Sequence, residues 1–476
     1  MPATALRELL AILSSSIDLL ESTCDAAGVA VPDLHEPFTP PSEAFRAIPA
    51  AAEAASLIGA AALQIEAIVT PPPVTLYRIV GGNFRSAALR AVFESGVTEL
   101  LREAGPQGMH VRDIGAANGQ EPEKLARFLR ALATHHVYRE VAPNIFANTR
   151  ISSLIDTGNP SKEVLANPDK KHSGSTGMSA IAAHHLDEVF KAAAFAWETL
   201  EDPKTRHSGE PLDSPFCRSI GKPQDLWAHY KENTMRGERF GIAMQGMEKM
   251  QPQDAIVTAF PWSTLPKNAK IVDVGGGIGT SCFGLARHFP EFKLVVQDLP
   301  QVVKQAGEIW EEKFPGVVQT GRVTLQEHDF FTAQPQKDAS LFLVKQILHD
   351  WSDPYCVKIL SQLWEAAAPD TTLLIMESLV PLACHDPELD APSAIPGAAA
   401  KEAPAPLLAN YGATNDMSYN IDMVMFFMFN SQERTFLHFQ KLLASAGWEI
   451  VKVHRQAGDS TFVQSIEAKK AEKPSA

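Results

Sequence analysis

Asp273-x-Gly275-x-Gly277-x-Gly279 and, further on, Asp298 are the residues whose types and spacing first point to a binding site. The glycines follow a short apolar run rich in β-branched residues (271–274) and precede Phe283, Leu285, Ala286 and Phe289 at helical spacing. That order reads as a buried parallel strand, a tight turn and a helix. A second apolar run, residues 293–297, ends on Asp298. An acid at the tip of the second strand can accept both hydroxyls of a ribose bound across the strand ends. A dinucleotide fingerprint, G-x-G-x-x-G, would need glycine where Thr280 or Cys282 stands. The loop therefore lacks the third glycine that lets a helix N-terminus press against a pyrophosphate.

Taken by itself, this loop resembles the first motif of S-adenosylmethionine-dependent methyltransferases. In that family it passes beneath the amino acid part of a cofactor that has no phosphate. On the loop alone, a nicotinamide dinucleotide stays open as the other reading.

The elements that must position these residues can be traced along the chain. With 476 residues, two domains plus extensions are expected. A composition of 45% hydrophobic and 21% charged residues is that of a soluble globular protein, and a net charge of −14 argues against nucleic acid or an anionic membrane as the main partner. Five scattered cysteines without CxxC spacing read as reduced thiols of a cytoplasmic protein. No 18-residue apolar run or signal-peptide core is apparent.

Residues 1–75 read as a helical extension with two apolar stripes, divided by prolines 32–41 and ended by Pro71-Pro72-Pro73. The stripes call for a partner, in the same protomer or in a second one. Residues 76–165 give a helix (87–101), a second helix (122–136) after a turn at Gly119, and two short strands around Pro143-Asn144. This is a winged-helix pattern. Its presumed recognition helix mixes Glu121 and Glu123 with Lys124, Arg127 and Arg130, which favours protein interaction over DNA. Residues 166–253 read as a helical connector. His172, His184, His185 and His207 lack a metal-ligand spacing there, and one amphipathic helix (225–250) carries Trp227, Tyr230, Phe240, Met244 and Met247.

Beyond residue 254, strand and helix alternate to give seven strands, with an antiparallel closing pair at 448–453 and 461–465. The fold class is α/β, a seven-stranded doubly wound, Rossmann-like sheet. An Ala/Pro-rich stretch (384–415) interrupts it and reads as a mobile surface insertion. This domain runs to residue 468, leaving 469–476 as a tail.

Asp273-x-Gly-Gly-Gly, Asp298-Leu-Pro, His328-Asp-Phe-Phe, Leu348-His-Asp-Trp-Ser-Asp353 and Glu433-Arg-Thr occur in order at family-like spacing. Together they resemble the plant and fungal small-molecule O-methyltransferases of the caffeate and flavonoid type, over residues 76–467 and including a winged-helix dimerisation domain. The resemblance implies S-adenosylmethionine as cofactor, bordered by Gly275 and Gly277, with Asp298 holding the ribose and Leu299 among the cofactor-binding residues. Asp329 and Phe330 would flank the adenine, and Lys345 would lie alongside through its backbone. It further implies His349 as general base between Glu377 and Glu433, with no metal, and a homodimer; the net charge and the mixed helix face leave no nucleic-acid or membrane partner expected. Phe240, Met244, Asp350, Asp422 and Met425 are the candidates to line the acceptor pocket, although core packing competes at each methionine. Departures are the long N-terminus, the Ala/Pro insertion and His328 where the family more often has glycine; these bear on acceptor choice.

The chemistry also follows from the residues. Methyl transfer from a sulfonium is an in-line displacement, so positioning and removal of the acceptor's proton are what a protein must supply. An imidazole can take the proton of a phenol, and a carboxylate on its far nitrogen fixes the tautomer and stabilises the imidazolium. Two other functions remain open on sequence: a cofactor-assisted decarboxylase or hydroxylase, and a winged-helix metabolite sensor.

Overall fold

The computed structural model describes residues 4–250, 255–391, 394–456 and 463–472. It divides into two compact units, one of Met1–Glu201 with Pro215–Gln251 and one of Asp202–Ser214 with Pro252–Ala476.

In the N-terminal unit, helices Ala5–Ala27 and Pro49–Val69 pack on each other. Small side chains allow the close approach: Ala51 and Ala54 are buried with Leu20, Cys24 and Phe45, while Leu10, Ile17, Leu63 and Ile68 on the same two helices are exposed. The extension has a partner in its own unit. Arg150 donates to Ser42 Oγ at 2.8 Å and to Glu43, and its backbone N–H donates to Leu34 O at 2.9 Å. Contrary to expectation, Pro49–Val69 is apolar and long enough to cross a membrane by length and composition.

The three prolines at 71–73 start a helix, Pro72–Val80, instead of ending the segment, because proline at the first helical position loses no hydrogen bond. The helix expected over 87–101 is two, Gly82–Glu94 and Val97–Ala104, parted at Gly96 in the left-handed region (φ 69°). Helices Val111–Asn118 and Pro122–Ala133 and a three-stranded antiparallel sheet complete the winged-helix arrangement. The helix expected over 225–250 is also two, Leu226–Glu232 and Thr234–Met250, broken at Asn233.

The C-terminal unit is built on seven strands: β1 (Lys270–Val274), β2 (Lys293–Asp298), β3 (Val323–Glu327), β4 (Leu341–Lys345), β5 (Thr372–Glu377), β6 (Trp448–His454) and β7 (Gln464–Lys470). Their order is β3-β2-β1-β4-β5-β7-β6; β7 runs antiparallel to both β5 and β6, and the pairs from β3 to β5 are parallel. The last strand starts later than expected and takes in residues 469–470 of the expected tail. Residues 457–462 of the connection between β6 and β7, which include Gly458 of the expected short turn, lie outside the described residues.

Alternate residues of the central strands enter two cores, as a sheet covered on both faces requires. Val272, Phe342 and Ile375 pack against α3 (Asp353–Ala366) and α5 (Phe436–Ser445). Ile271, Leu343 and Leu374 face α1 (Thr280–His288) and α2 (Pro300–Lys313). A further helix, α4 (Met417–Phe429), packs beside the 3-10 turn Leu348–Asp350.

The Ala/Pro stretch departs from its reading as a mobile insertion. Val453 N–H on edge strand β6 donates to Pro396 O at 2.9 Å, and Arg455 donates to Gly397 O at 2.9 Å and Ala398 O at 2.7 Å. Ala398 joins the core, and a Cβ at Gly397 would sit 2.0 Å from Val453 O. Main-chain pairing and small residues anchor it where apolar bulk is scarce.

Candidate active site

The glycine loop leaves β1 at Val274 and is fastened by three hydrogen bonds, two to β2 and one to α2. Gly276 N–H donates to Gln297 O at 3.0 Å, and Gly277 N–H donates to Asp298 Oδ2 at 2.8 Å. Trp310 Nε1–H of α2 donates to Ile278 O at 3.0 Å. Asp298 Oδ1 accepts from Leu299 N–H at 2.7 Å, so the acid at the tip of β2 is rigid and still has lone pairs to offer. Gly275 and Gly277 have φ of 67° and 60°, where a side chain would strain the backbone. A Cβ on Gly275 would also meet Ile347 Cδ1 at 2.7 Å and Phe330 at 3.4 Å, whereas nothing lies within 4 Å of one on Gly277. The ring of Phe330 therefore lies close to the glycine loop. Asp329 is exposed and accepts Phe331 N–H at 3.0 Å; Leu299 is exposed; Lys345 ends β4 opposite Met376 on β5.

The second cluster gathers at the ends of β4 and β5 and between α4 and α5. Gln346 turns the chain with φ 52° and donates its N–H to Met376 O at 2.9 Å, which leads β4 into the turn carrying His349. His349 Nδ1 meets Glu433 Oε1 at 2.8 Å, and Glu377 Oε2 lies 3.8 Å from the same nitrogen. Nε2 faces the other way, with Asp350 Oδ1 3.7 Å from it. The two glutamates are held differently. Glu377 Oε1 accepts the N–H groups of Ile347 (2.9 Å) and Leu348 (2.8 Å), pinning the turn. Glu433 N–H donates to Asp422 Oδ1 at 2.8 Å. Asp422 thus supports an acid beside the imidazole, and Met425 is buried within α4. Phe240 and Met244 belong to the N-terminal unit, where Phe240 packs on His184, Trp227 and Tyr230.

Residues 197–394 match the model of the O-methyltransferase domain, and residues 77–157 that of the O-methyltransferase dimerisation domain. The 4-O-methyltransferase 1 of Phanerochaete chrysosporium is 52% identical over 97% of this chain and 98% of its own. The chain belongs to the O-methyltransferase family. Among solved structures, OxaC in complex with sinefungin and meleagrin aligns with a TM-score of 0.64 at 20% identity, over 96% of this chain and 98% of its own. LepI in complex with SAM aligns with a TM-score of 0.64 at 17% identity, over 87% and 93%. Both likenesses establish the fold. The enzyme is thus an S-adenosylmethionine-dependent methyltransferase of small molecules, with a Rossmann-like catalytic sheet and an N-terminal helical dimerisation domain.

Electrostatics set the two clusters of this O-methyltransferase apart. Burial works to lower the pKa of His349, but the carboxylates of Glu377, Asp350 and Glu433 outweigh it and push it up to about 10. Burial pushes Glu377 up to about 7, against the pull of His349 and the two backbone N–H groups. Burial likewise lifts Asp350 to about 6. Asp298 is raised by burial, opposed by the N–H groups of Leu299 and Gly277.

Two contributors escaped the sequence reading. Gly276 has an ordinary φ, yet a Cβ there would sit 2.5 Å from the Asp273 carboxyl, which burial lifts to about 6. Its only signal was a third glycine in the run. Arg434, inside the Glu433-Arg-Thr tag, is 1% exposed, and nothing in the sequence separates it from a surface arginine. A strap of residues 202–214 also escaped notice: Asn430 Nδ2 donates to Ser208 O (2.9 Å) and Glu210 O (3.0 Å), and Tyr355 O–H donates to Glu210 Oε2 at 2.6 Å.

Proposed function

We propose that this O-methyltransferase methylates a hydroxyl of a small phenolic or polyketide-like aromatic acceptor, with His349 as the general base. The observation that carries this reading is the 2.8 Å contact between His349 Nδ1 and Glu433 Oε1. A carboxylate at that distance requires a hydrogen on Nδ1, which leaves Nε2 as the proton-accepting nitrogen in the neutral ring. The ligand-type atoms of His349, Glu377 and Glu433 lie within 4.8 Å of one another, a set a metal ion could also use. The hydrogen-bonded Nδ1 favours a proton there, and no metal enters the proposal.

The glycine loop fits S-adenosylmethionine: Gly277 is open above its Cα, and Asp298 has lone pairs beyond its two backbone bonds. Asp298 would hold the ribose hydroxyls, with Leu299 beside it, and Gly275 and Gly277 would border the amino acid part. Phe330 and Asp329 would flank the adenine, and Lys345 would contribute backbone. The bound cofactor supplies an electrophilic methyl group on a positively charged sulfur. His349 removes the acceptor's proton as oxygen becomes the nucleophile; Glu433 keeps Nδ1–H in place and stabilises the imidazolium; Glu377 holds the turn and adds negative charge. The neighbouring carboxylates raise the pKa of the imidazole toward that of a phenol, about 10, which lowers the cost of the proton transfer. Asp350, on the Nε2 side, stands where the acceptor hydroxyl would arrive, and Met425 is a candidate wall.

Mass spectrometry after incubation with S-adenosylmethionine tests the acceptor class. Phenols should gain one methyl, and the 4-hydroxyl is the first position to examine given the relative's name. Methyl gain by non-aromatic acceptors alone would overturn it.

A further inference from the structure

Arg434 has its side chain wholly buried next to the proposed base, and a guanidinium taken out of water needs acceptors for its N–H groups. It finds them on the turn that carries His349. Nη1 donates to Leu348 O at 2.8 Å and Nη2 to Trp351 O at 2.8 Å, one carbonyl just before the His349-Asp350 pair and one just after it. Nε and Nη2 donate to Asp353 Oδ1 at 2.9 and 2.8 Å, and His438 Nε2 holds the other oxygen of that carboxylate at 2.7 Å. The main chain of Arg434 reaches a third element. Its carbonyl accepts Val380 N–H at 3.0 Å, and it forms a parallel bridge with Leu379, just past Glu377. Glu433, the preceding residue, meets the imidazole itself. A single residue thus ties the segment bearing the base to both segments bearing its acids.

We propose that Arg434 is a positioning residue for the proton transfer: its guanidinium brackets the 348–351 turn so that His349 keeps Glu433 on Nδ1 and aims Nε2 at the acceptor. This rests on His349 being the base. Lysine would keep the charge but lose the planar fork that reaches two carbonyls and a carboxylate together.

Arg434→Lys, made in the wild-type and His349→Ala enzymes, tests it through kcat, KM and calorimetric binding of S-adenosylmethionine. In the wild-type enzyme kcat should fall about ten- to a hundredfold, the size of effect a misplacement of about 1 Å produces. Cofactor affinity should stay within about twofold, and in His349→Ala the same change should alter the residual rate by no more than about twofold. An equal loss in both backgrounds, or no loss in the wild type, overturns the proposal. The rate of His349→Ala alone reads the base assignment: near-normal turnover there refutes the base, whereas uncoupled losses refute only Arg434. If Arg434→Lys fails to bind cofactor, Asp353→Asn loosens the fork while keeping the guanidinium. It should show a smaller loss that likewise disappears in His349→Ala, and a loss that persists there overturns the proposal.

Discussion

At His349 two effects oppose each other. Burial favours the neutral ring, the three carboxylates favour the imidazolium, and the carboxylates win. The proposed base can act only when unprotonated, so the raised pKa shifts the working range upward. The acidic limb of kcat/KM should inflect well above the ordinary histidine value of about 6.5 and rise toward about 10. Glu433→Gln should bring that inflection down and cut turnover about ten- to a hundredfold. A limb at the ordinary value in the wild type would show that the carboxylates do not govern the ring. The same shift bears on stability: a raised folded-state pKa stabilises fully below the unfolded value, and that contribution fades as pH climbs through about 10. At the other cluster, Asp298→Ala should weaken S-adenosylmethionine binding at least about tenfold, since charge-assisted hydrogen bonds are worth roughly 1.5–3 kcal/mol each. Calorimetry checks it, and unchanged affinity would remove Asp298 from the ribose.

Among the elements, those governed by apolar periodicity were legible in sequence, and those governed by one backbone conformation or by main-chain pairing were not. The runs at 271–274 and 293–297 announced β1 and β2 because a strand covered on both faces must be apolar nearly throughout. Gly96 and Asn233 each divide what periodicity joined into one helix. The cluster of His349, Glu377 and Glu433 could be marked by motif, but the unequal support of the two glutamates could not: that Glu377 grips two N–H groups while Glu433 grips the ring depends on where β5 and α5 end. The Ala/Pro stretch shows the same limit, since its anchors are carbonyls that any sequence would carry. Excising residues 387–406 should lower the thermal midpoint by several degrees, because Ala398 leaves the core and β6 loses its edge partners. An unchanged melt would return the segment to a dispensable surface role.

On the scale of the whole molecule, the N-terminal unit exposes a run of large apolar side chains: Leu76, Tyr77, Ile79, Val80 and Phe84 are each more than 60% exposed. Most of this run lies within the segment that matches the dimerisation domain, and a patch of this kind marks an interaction surface. A homodimer formed through the N-terminal region should give twice the 51.7 kDa chain mass by light scattering at micromolar protein. Tyr77→Asp combined with Ile79→Asp should shift it toward monomer, and a wild-type monomer would contradict the arrangement.

The central claim, that His349 takes the acceptor's proton, is met most directly by comparing turnover of wild type and His349→Ala across phenols of decreasing pKa, using methyl-labelled S-adenosylmethionine. On an ordinary phenol the variant should lose several orders of magnitude while binding cofactor normally. The deficit should shrink steadily toward nitro-substituted phenols, which need a base least. A near-normal rate on an ordinary phenol, or a deficit that ignores acceptor acidity, would contradict the claim.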